Sequence, residues 1–444
     1  MHKLDFPKDF LWGTATASYQ VEGAAHEGGR SDSIWDIFSR KPGAVYGGEN
    51  GEIACDQYHR YKEDIALMAE LGFKSYRFSI AWPRIIPGGD DGKVNKEGVA
   101  FYKDLIKELH AYNIKATATI YHWDLPQSLE DKGGWAERRT AEAFAEYAKV
   151  CFAEFGDTVD QWITINEPFC VAYLGYAFGV HAPGICDIGK AVRAVHHVNL
   201  AHGLAVKAYR AAGLKAPIGI TWNPNTPRPA TDREADKQAA LVARAVETEV
   251  FMLPILGKGY PDLVLKELKL PVPIQDGDLD SISQKIDFIG VNYYNEQPVA
   301  FDPNGQFKYG AKPSWQNTSD MGWPTVPGGL ARQLLWISGI SGGLPIYITE
   351  NGFASDDKPD ENGRVHDIER IKYVRRHLEV CAGLIKQGVN LKGYYAWSFM
   401  DNFEWAYGYT RRFGIVHVDY VTQKRTPKDS AYFFRDVIAG FGEW

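Results

Sequence analysis

Pro345-Ile346-Tyr347-Ile348-Thr349-Glu350-Asn351-Gly352 is a short apolar run, rich in β-branched residues, that ends in a carboxylate and an Asn-Gly turn pair. Its length and composition predict a buried strand. An ionised carboxylate buried without partners is costly. A Glu at the last strand position is therefore expected at a rim, facing a pocket. A salt-bridged strand end would read the same from this stretch alone. Gln161-Trp162-Ile163-Thr164-Ile165-Asn166-Glu167-Pro168 repeats the form: an apolar strand ends in Asn166 and Glu167, and Pro168 has no N–H with which to continue a ladder.

The same pattern recurs along the chain. Strands are predicted over 6–15, 75–80, 115–120, 217–221, 288–291 and 391–397, besides the two quoted stretches. Helices are predicted over 56–70, 95–111, 136–155, 188–211, 232–252, 327–338, 367–387 and 429–439, with Asp56, Asn95 and Asp232 at their starts. Residues 24–55 read as a long Gly-rich loop. Eight strands, most separated by helices, imply a parallel sheet with right-handed crossovers. That number favours a closed α/β barrel, the (β/α)8 TIM barrel, with long βα loops. No G-x-G-x-x-G follows the first strand, which weakens a dinucleotide-binding reading. Without an internal repeat or linker, residues 1–444 read as one domain.

Composition narrows the function class. The 444 residues are 45% hydrophobic and 24% charged, with net charge −7 and no block of like charge, so nothing points to nucleic acid or an anionic membrane. Aromatics reach 13%, including 13 Trp and 24 Tyr, which is high; a core takes some of them, and sugar-binding clefts also use aromatic faces. Cys55, Cys151, Cys170, Cys186 and Cys381 are scattered and odd in number, which reads as reduced thiols. The first residues carry charge and no apolar segment, and no run approaches a membrane span; a cytoplasmic protein is expected.

Gln20, Arg77, His122, Asn166 with Glu167, Asn292 with Tyr294, Glu350 and Trp397 all fall at or near the C-terminal end of a predicted strand. In a barrel those ends share the face that carries active sites. Packing needs alone do not place so many polar groups there. Two opposed carboxylates suit hydrolysis of a glycosidic bond: one attacks or activates water, the other protonates the leaving oxygen. A metal site offers less. His196-His197 and His202 lie on one predicted helix, adjacent His point apart, and there is no H-E-x-x-H. The acidic turns at 276–280 and 356–363 lack calcium-loop spacing and read as solvated loops.

These residues also resemble glycoside hydrolase family 1, the retaining β-glycosidases. The resemblance covers nearly the whole chain. It rests on Phe10-Leu11-Trp12-Gly13-Thr14-Ala15-Thr16-Ala17-Ser18-Tyr19-Gln20-Val21-Glu22-Gly23, Arg77-Phe78-Ser79, Tyr121-His122-Trp123-Asp124, Thr164 to Pro168, Asn292-Tyr293-Tyr294, Thr349 to Gly352, and Trp397 through Trp405. It implies that Glu350 is the nucleophile and Glu167 the general acid/base. It implies that Gln20, His122, Asn166, Glu404 and Trp405 hold the sugar hydroxyls and that Trp397 lies under the ring. Arg77, Asn292 and Tyr294 would support the nucleophile, with Trp323 and Phe169 on the leaving-group side. The implied activity is a retaining exo-β-glucosidase on cello-oligosaccharides or aryl and alkyl β-glucosides, extending to β-galactosides and β-fucosides, without metal or cofactor. Arg77 would keep Glu350 ionised, and the charge of Glu350 would raise the pKa of Glu167.

Two alternatives stand beside this. A 6-phospho-β-glucosidase on the same fold would need cations after the eighth strand, where this chain has Glu404 and Trp405. A non-catalytic carbohydrate-binding relative would be expected to lack one of the two carboxylates. Sugar epimer, leaving group, chain length and assembly into a homo-oligomer are left open.

Overall fold

The computed structural model describes residues 4–312 and 318–440. Eight parallel strands close into a barrel: β1 Leu11–Ala15, β2 Ser75–Ser79, β3 Lys115–Tyr121, β4 Gln161–Asn166, β5 Ile218–Trp222, β6 Phe288–Asn292, β7 Ile346–Asn351 and β8 Leu391–Trp397. Each pairs with the next, and β8 closes on β1 with Trp397 opposite Ala15. Most strand residues are buried, as a parallel sheet covered on both faces requires. Pairing slips at three places near the C-terminal rim: between Ile163 and Asn166, between Val291 and Asn292, and between Tyr394 and Ala396. Such irregularities re-aim side chains where pairing ends.

The outer helices are α1 Gln57–Glu70, α2 Lys96–Ala111, α3 Arg138–Phe155, α4 Ile188–Ala211, α5 Glu234–Arg244, α6 Pro327–Ile340, α7 Ile368–Lys386 and α8 Asp429–Ile438. Helix α3 shows why they dock. Its buried Ala141, Phe144, Tyr147, Ala148, Cys151, Phe152 and Phe155 recur at i, i+3 and i+4 and form one apolar stripe. The barrel floor is filled rather than open. Tyr395 Oη bonds Ser75 Oγ at 2.9 Å and Thr117 Oγ1 at 3.0 Å. Its ring fills the space where a side chain at position 13 would stand, so that position must be Gly.

Several local expectations need correction. Residues 24–55 contain a helix, Ile34–Ser39, closed by a capping box in which Ser33 and Asp36 bond each other's backbone N–H. Asn95 caps α2 as expected, accepting from Glu97 N at 3.3 Å. Asp56 does not cap α1; it sits at φ 53° and spends its carboxylate on His59 Nδ1 at 2.6 Å. The helix predicted from Asp232 starts at Glu234 and is interrupted by a π turn, Ala245–Glu249, before resuming over Val250–Ile255.

The two acidic turns are not simply solvated. Asp278 is buried, bonded to Arg138 and to His196. Asp357 is buried against Lys428 at 2.7 Å and Arg370 at 2.6 Å. Arg138, His196 and Lys428 come from distant parts of the chain, which turn composition does not reveal. His197 bonds Trp135 O and His202 bonds Thr164 Oγ1, so the three helix histidines serve separate partners. All five cysteines are free thiols. Among the described residues no helix is long and apolar enough to cross a membrane.

Candidate active site

The C-terminal strand ends open into a cavity of about 690 Å³. Glu167 follows β4, Asn292 ends β6, Glu350 is the penultimate residue of β7, Trp397 ends β8, and His122 follows β3; all line the cavity. Tyr294, Phe169, Trp323, Glu404 and Trp405 complete the predicted set on its wall. Gln20, Arg77 and Asn166 do not reach the wall; they are fully buried behind it. The backbone is strained at this rim. Glu167, Trp123 and Trp405 carry φ of 48°, 77° and 48°, a left-handed conformation that costs side-chain-bearing residues about 1–3 kcal/mol each.

One hydrogen-bond network fixes both carboxyl groups. Arg77 Nη1 donates to Glu350 Oε1 at 2.5 Å, and Arg77 Nη2 donates to Asn166 Oδ1 at 2.6 Å. Tyr294 Oη donates to Glu350 Oε2 at 2.6 Å. Asn292 Nδ2 donates to Glu167 Oε1 at 2.5 Å and to Asn166 Oδ1 at 3.1 Å. Thr349 Oγ1 orients Asn292 by donating to its Oδ1 at 2.8 Å. His122 Nε2 meets Asn166 Nδ2 at 3.0 Å, and Trp123 Nε1 donates to Asn166 O at 2.9 Å. Gln20 Nε2 is held by Asn402 Oδ1 at 3.0 Å and Phe403 O at 2.7 Å. Gln20 Oε1 and His122 Nδ1 have no protein partner, which leaves acceptor and donor capacity for a hydroxylated ligand. Aromatic rings frame the same space: His122 stacks near Trp397 at 5.9 Å and near Trp405 at 6.0 Å.

Burial pushes the carboxyl of Glu167 up to about 7, and Glu350 adds to the rise. The charge of Glu350 raises it as expected from sequence, and burial contributes more. Glu350 is also raised, by burial, against the pull of Arg77 and Tyr294. Arg77 thus opposes the desolvation of Glu350 without reversing it. With a guanidinium bonded to Glu350 and only neutral donors on Glu167, the proton shared by the pair belongs on Glu167. Glu404 is pushed up to about 8 by burial and by both other carboxylates. It therefore carries a proton for much of its time near neutrality. The charge argument against a phosphosugar accordingly shifts from Glu404 itself to the cavity wall, which includes no Lys or Arg among the described residues.

Other wall residues carry no assignment from sequence. Trp123 stands inside a quoted motif without a role. Cys170 reads in the sequence only as a scattered thiol, yet its Sγ lies 3.0 Å from Glu167 Oε2. His181, Asn223, Glu247 and Phe413 also face the cavity. They come from loops and from the π turn, where no periodicity marks a direction. A π turn adds a residue to the helical turn and rotates the side chains around it, which brings Glu247 round to the site.

The sequence profile described as Glycosyl hydrolase family 1 matches residues 2–443. The chain belongs to glycosyl hydrolase family 1. The 1,4-beta-D-glucan glucohydrolase of Thermotoga neapolitana is 48% identical over 440 residues, spanning 98% of this chain and 99% of that protein. Among solved structures, the AHE enzyme from Alicyclobacillus herbarius superposes with TM-score 0.96 at 50% identity, covering 99% of this chain and all of that one. The family 1 β-glucosidase from Thermotoga maritima superposes with TM-score 0.97 at 46% identity, each chain fully covered. As a family 1 glycosyl hydrolase the protein hydrolyses O-glycosyl bonds, and its function at the level of the family is that of a β-glucosidase.

Proposed function

We propose that this chain is a retaining exo-β-glycosidase that removes terminal, non-reducing β-D-glucosyl residues from short β-linked gluco-oligosaccharides and from aryl or alkyl β-glucosides. The observation that carries the reading is the asymmetry of the carboxyl pair. Glu350 is gripped by Arg77 at 2.5 Å, whereas Glu167 has only neutral donors and is raised to about 7. Glu350 is the nucleophile: its carboxylate attacks the anomeric carbon as Glu167 delivers its proton to the departing glycosidic oxygen. The ester that forms at Glu350 removes a negative charge beside Glu167. The pKa of Glu167 then falls, and it accepts a proton from the incoming water.

Arg77, Asn292 and Tyr294 hold Glu350 and Glu167 in register. Trp397 forms a face beneath the sugar ring; Glu404, Trp405, His122, Gln20 and Asn166 bind its hydroxyls. Gln20 and Asn166 act from just behind the wall. Trp323 and Phe169 border the leaving group. The wall without Lys or Arg favours a neutral sugar over its 6-phosphate. The gluco-oligosaccharide preference draws on the glucohydrolase relative. NMR of the first product tests the stereochemistry: β-glucose before mutarotation is expected, and initial α-glucose would overturn the retaining assignment.

A further inference from the structure

Cys170 is 7% exposed and sits one turn beyond Glu167, its N–H donating to the Glu167 carbonyl at 3.0 Å. Its Sγ is 3.0 Å from Glu167 Oε2. Asn223, from the loop after β5, donates through Nδ2 to the same sulfur at 3.4 Å. That contact uses sulfur as the acceptor and turns the S–H toward Glu167. On the opposite side Asn292 already donates to Oε1. An oxygen receiving a short N–H bond is a poor place for a proton, so the acidic proton belongs on Oε2, the oxygen beside Cys170.

We propose that Cys170 is the positioning residue of the acid/base carboxyl, a thiol that donates to Glu167 Oε2 when that group is a carboxylate and receives its O–H when it is an acid. The inference rests on the reading of Glu167 as acid/base. A carboxyl that must be acid in one half of the reaction and base in the other needs a neighbour able to reverse its own polarity. A thiol does so, and both of its hydrogen bonds are weak, so it does not hold the proton back from the leaving oxygen. A backbone carbonyl could only accept; an amide N–H could only donate. Burial and the adjacent carboxylates keep the thiol protonated, the form this role requires. The other groups facing Glu167 are Glu350 on β7, Arg77 on β2, Asn292 on β6, Tyr294 in the loop after β6 and Glu404 in the loop after β8.

The test compares Cys170→Val and Cys170→Ser with the parent enzyme in pH profiles of kcat/KM, using a β-glucoside with an unactivated alcohol as leaving group. Valine keeps the volume and loses the donor. The alkaline limb should then move up by about half a pH unit, because the carboxylate form loses a charge-assisted hydrogen bond, stronger than the neutral O–H···S bond that the acid form loses. Serine restores a donor, and its limb should lie at or below that of the parent. Identical limbs in all three proteins would reduce Cys170 to packing. If the valine protein does not fold by its melting curve, Cys170→Ala replaces it with the same expected direction. Glu167→Gln separates the two levels of argument. Should the acid/base reading fail, the parent's alkaline limb would survive Glu167→Gln. Should only this inference fail, Glu167→Gln would lose turnover of this glucoside while the Cys170 variants left the parent's limb in place.

Discussion

Gly352 and Trp397 meet backbone to backbone: a methyl group on Gly352 would overlap the Trp397 carbonyl oxygen. The residue just beyond the Glu350-Asn351 strand end is thus pressed onto the strand that carries the proposed sugar platform. Gly352→Ala must push the β7 and β8 ends apart. Overpacking against backbone costs roughly 1–3 kcal/mol. We expect a lower melting temperature together with a fall in kcat, because Glu350 moves relative to Glu167. A variant with parent-like melting and turnover would show that the strand ends yield without consequence.

Shortening the two carboxylates should produce different failures. Glu350→Gly removes the attacking group, and turnover of a β-glucoside should fall on the order of 10⁴-fold or more. Azide entering the vacated space should give an α-glucosyl azide by one inversion. Glu167→Ala keeps the nucleophile, so a dinitrophenyl glucoside should still load the enzyme while hydrolysis of the intermediate stalls. Azide should then release a β-glucosyl azide by a second inversion. Product anomers read by NMR identify each role, and exchanged anomers would reverse the assignment.

A 6-phosphate should be a poor substrate. Its dianion would enter a wall that includes the Glu350 carboxylate and no Lys or Arg among the described residues. We expect kcat/KM for an aryl β-glucoside to exceed that for its 6-phosphate by at least about tenfold. Steady-state kinetics on the matched pair decides this, and a preference for the phosphate would favour the phosphoglycosidase alternative.

Stability should decline from mildly acidic to mildly alkaline solution. Burial raises the carboxyls of Glu167, Asp124 and Glu130 to about 7 and that of Glu404 to about 8. Between the unfolded carboxyl range near about 4 and those values the native state binds the extra protons, so these groups lose stability as pH rises. Buried His181, His197, His202 and His377 are lowered to between about 3 and about 4. Below about 6.5 the unfolded chain binds their protons instead, so these groups gain stability as pH rises. Below about pH 6.5 the two trends oppose each other, and above it only the carboxyl loss continues, so stability should hold up to about pH 6 and decline toward about pH 8. Melting temperatures across that range would check it; a steady rise through the whole range would contradict the carboxyl assignments.

Lys428 is a buried cation shared by Asp357 at 2.7 Å and Asp401 at 2.8 Å. Asp357 also has Arg370, and Asp401 also has Arg412. Lys428→Met leaves each carboxylate with one cation, and should cost roughly 3 kcal/mol, the lower end for breaking a buried pair. Denaturant unfolding measures the loss, and a change within error would show that the remaining arginines suffice.

The barrel and the site residues at strand ends are legible in the sequence because strand periodicity and chain order fix where an end lies. Glu350 after Ile346–Thr349 and Glu167 before Pro168 are local patterns. Asp278 and Asp357 are not legible, because their burial depends on Arg138 and Lys428, residues far away in sequence. Glu247 is hidden because a π turn breaks the helical period that would have pointed its side chain. Cysteine spacing speaks only of bonds to another sulfur, whereas the partner of Cys170 is a carboxylate three residues earlier. The ranking of causes behind the raised carboxyls is also beyond the sequence, since burial contributes most and burial is not written in a motif.

The cluster of Lys428, Asp357, Asp401, Arg370 and Arg412 ties the segments following β7 and β8 to each other and to the start of α8. Glu404, Trp405 and Trp397 are therefore mounted on a cross-braced half of the rim. Gln297, on the cavity wall in the loop after β6, takes no part in those ion pairs. On the proposed function, substitution there should change which alcohol departs while the mould for the sugar stays fixed. Directed evolution for new leaving groups is best begun there, with the braced half left untouched.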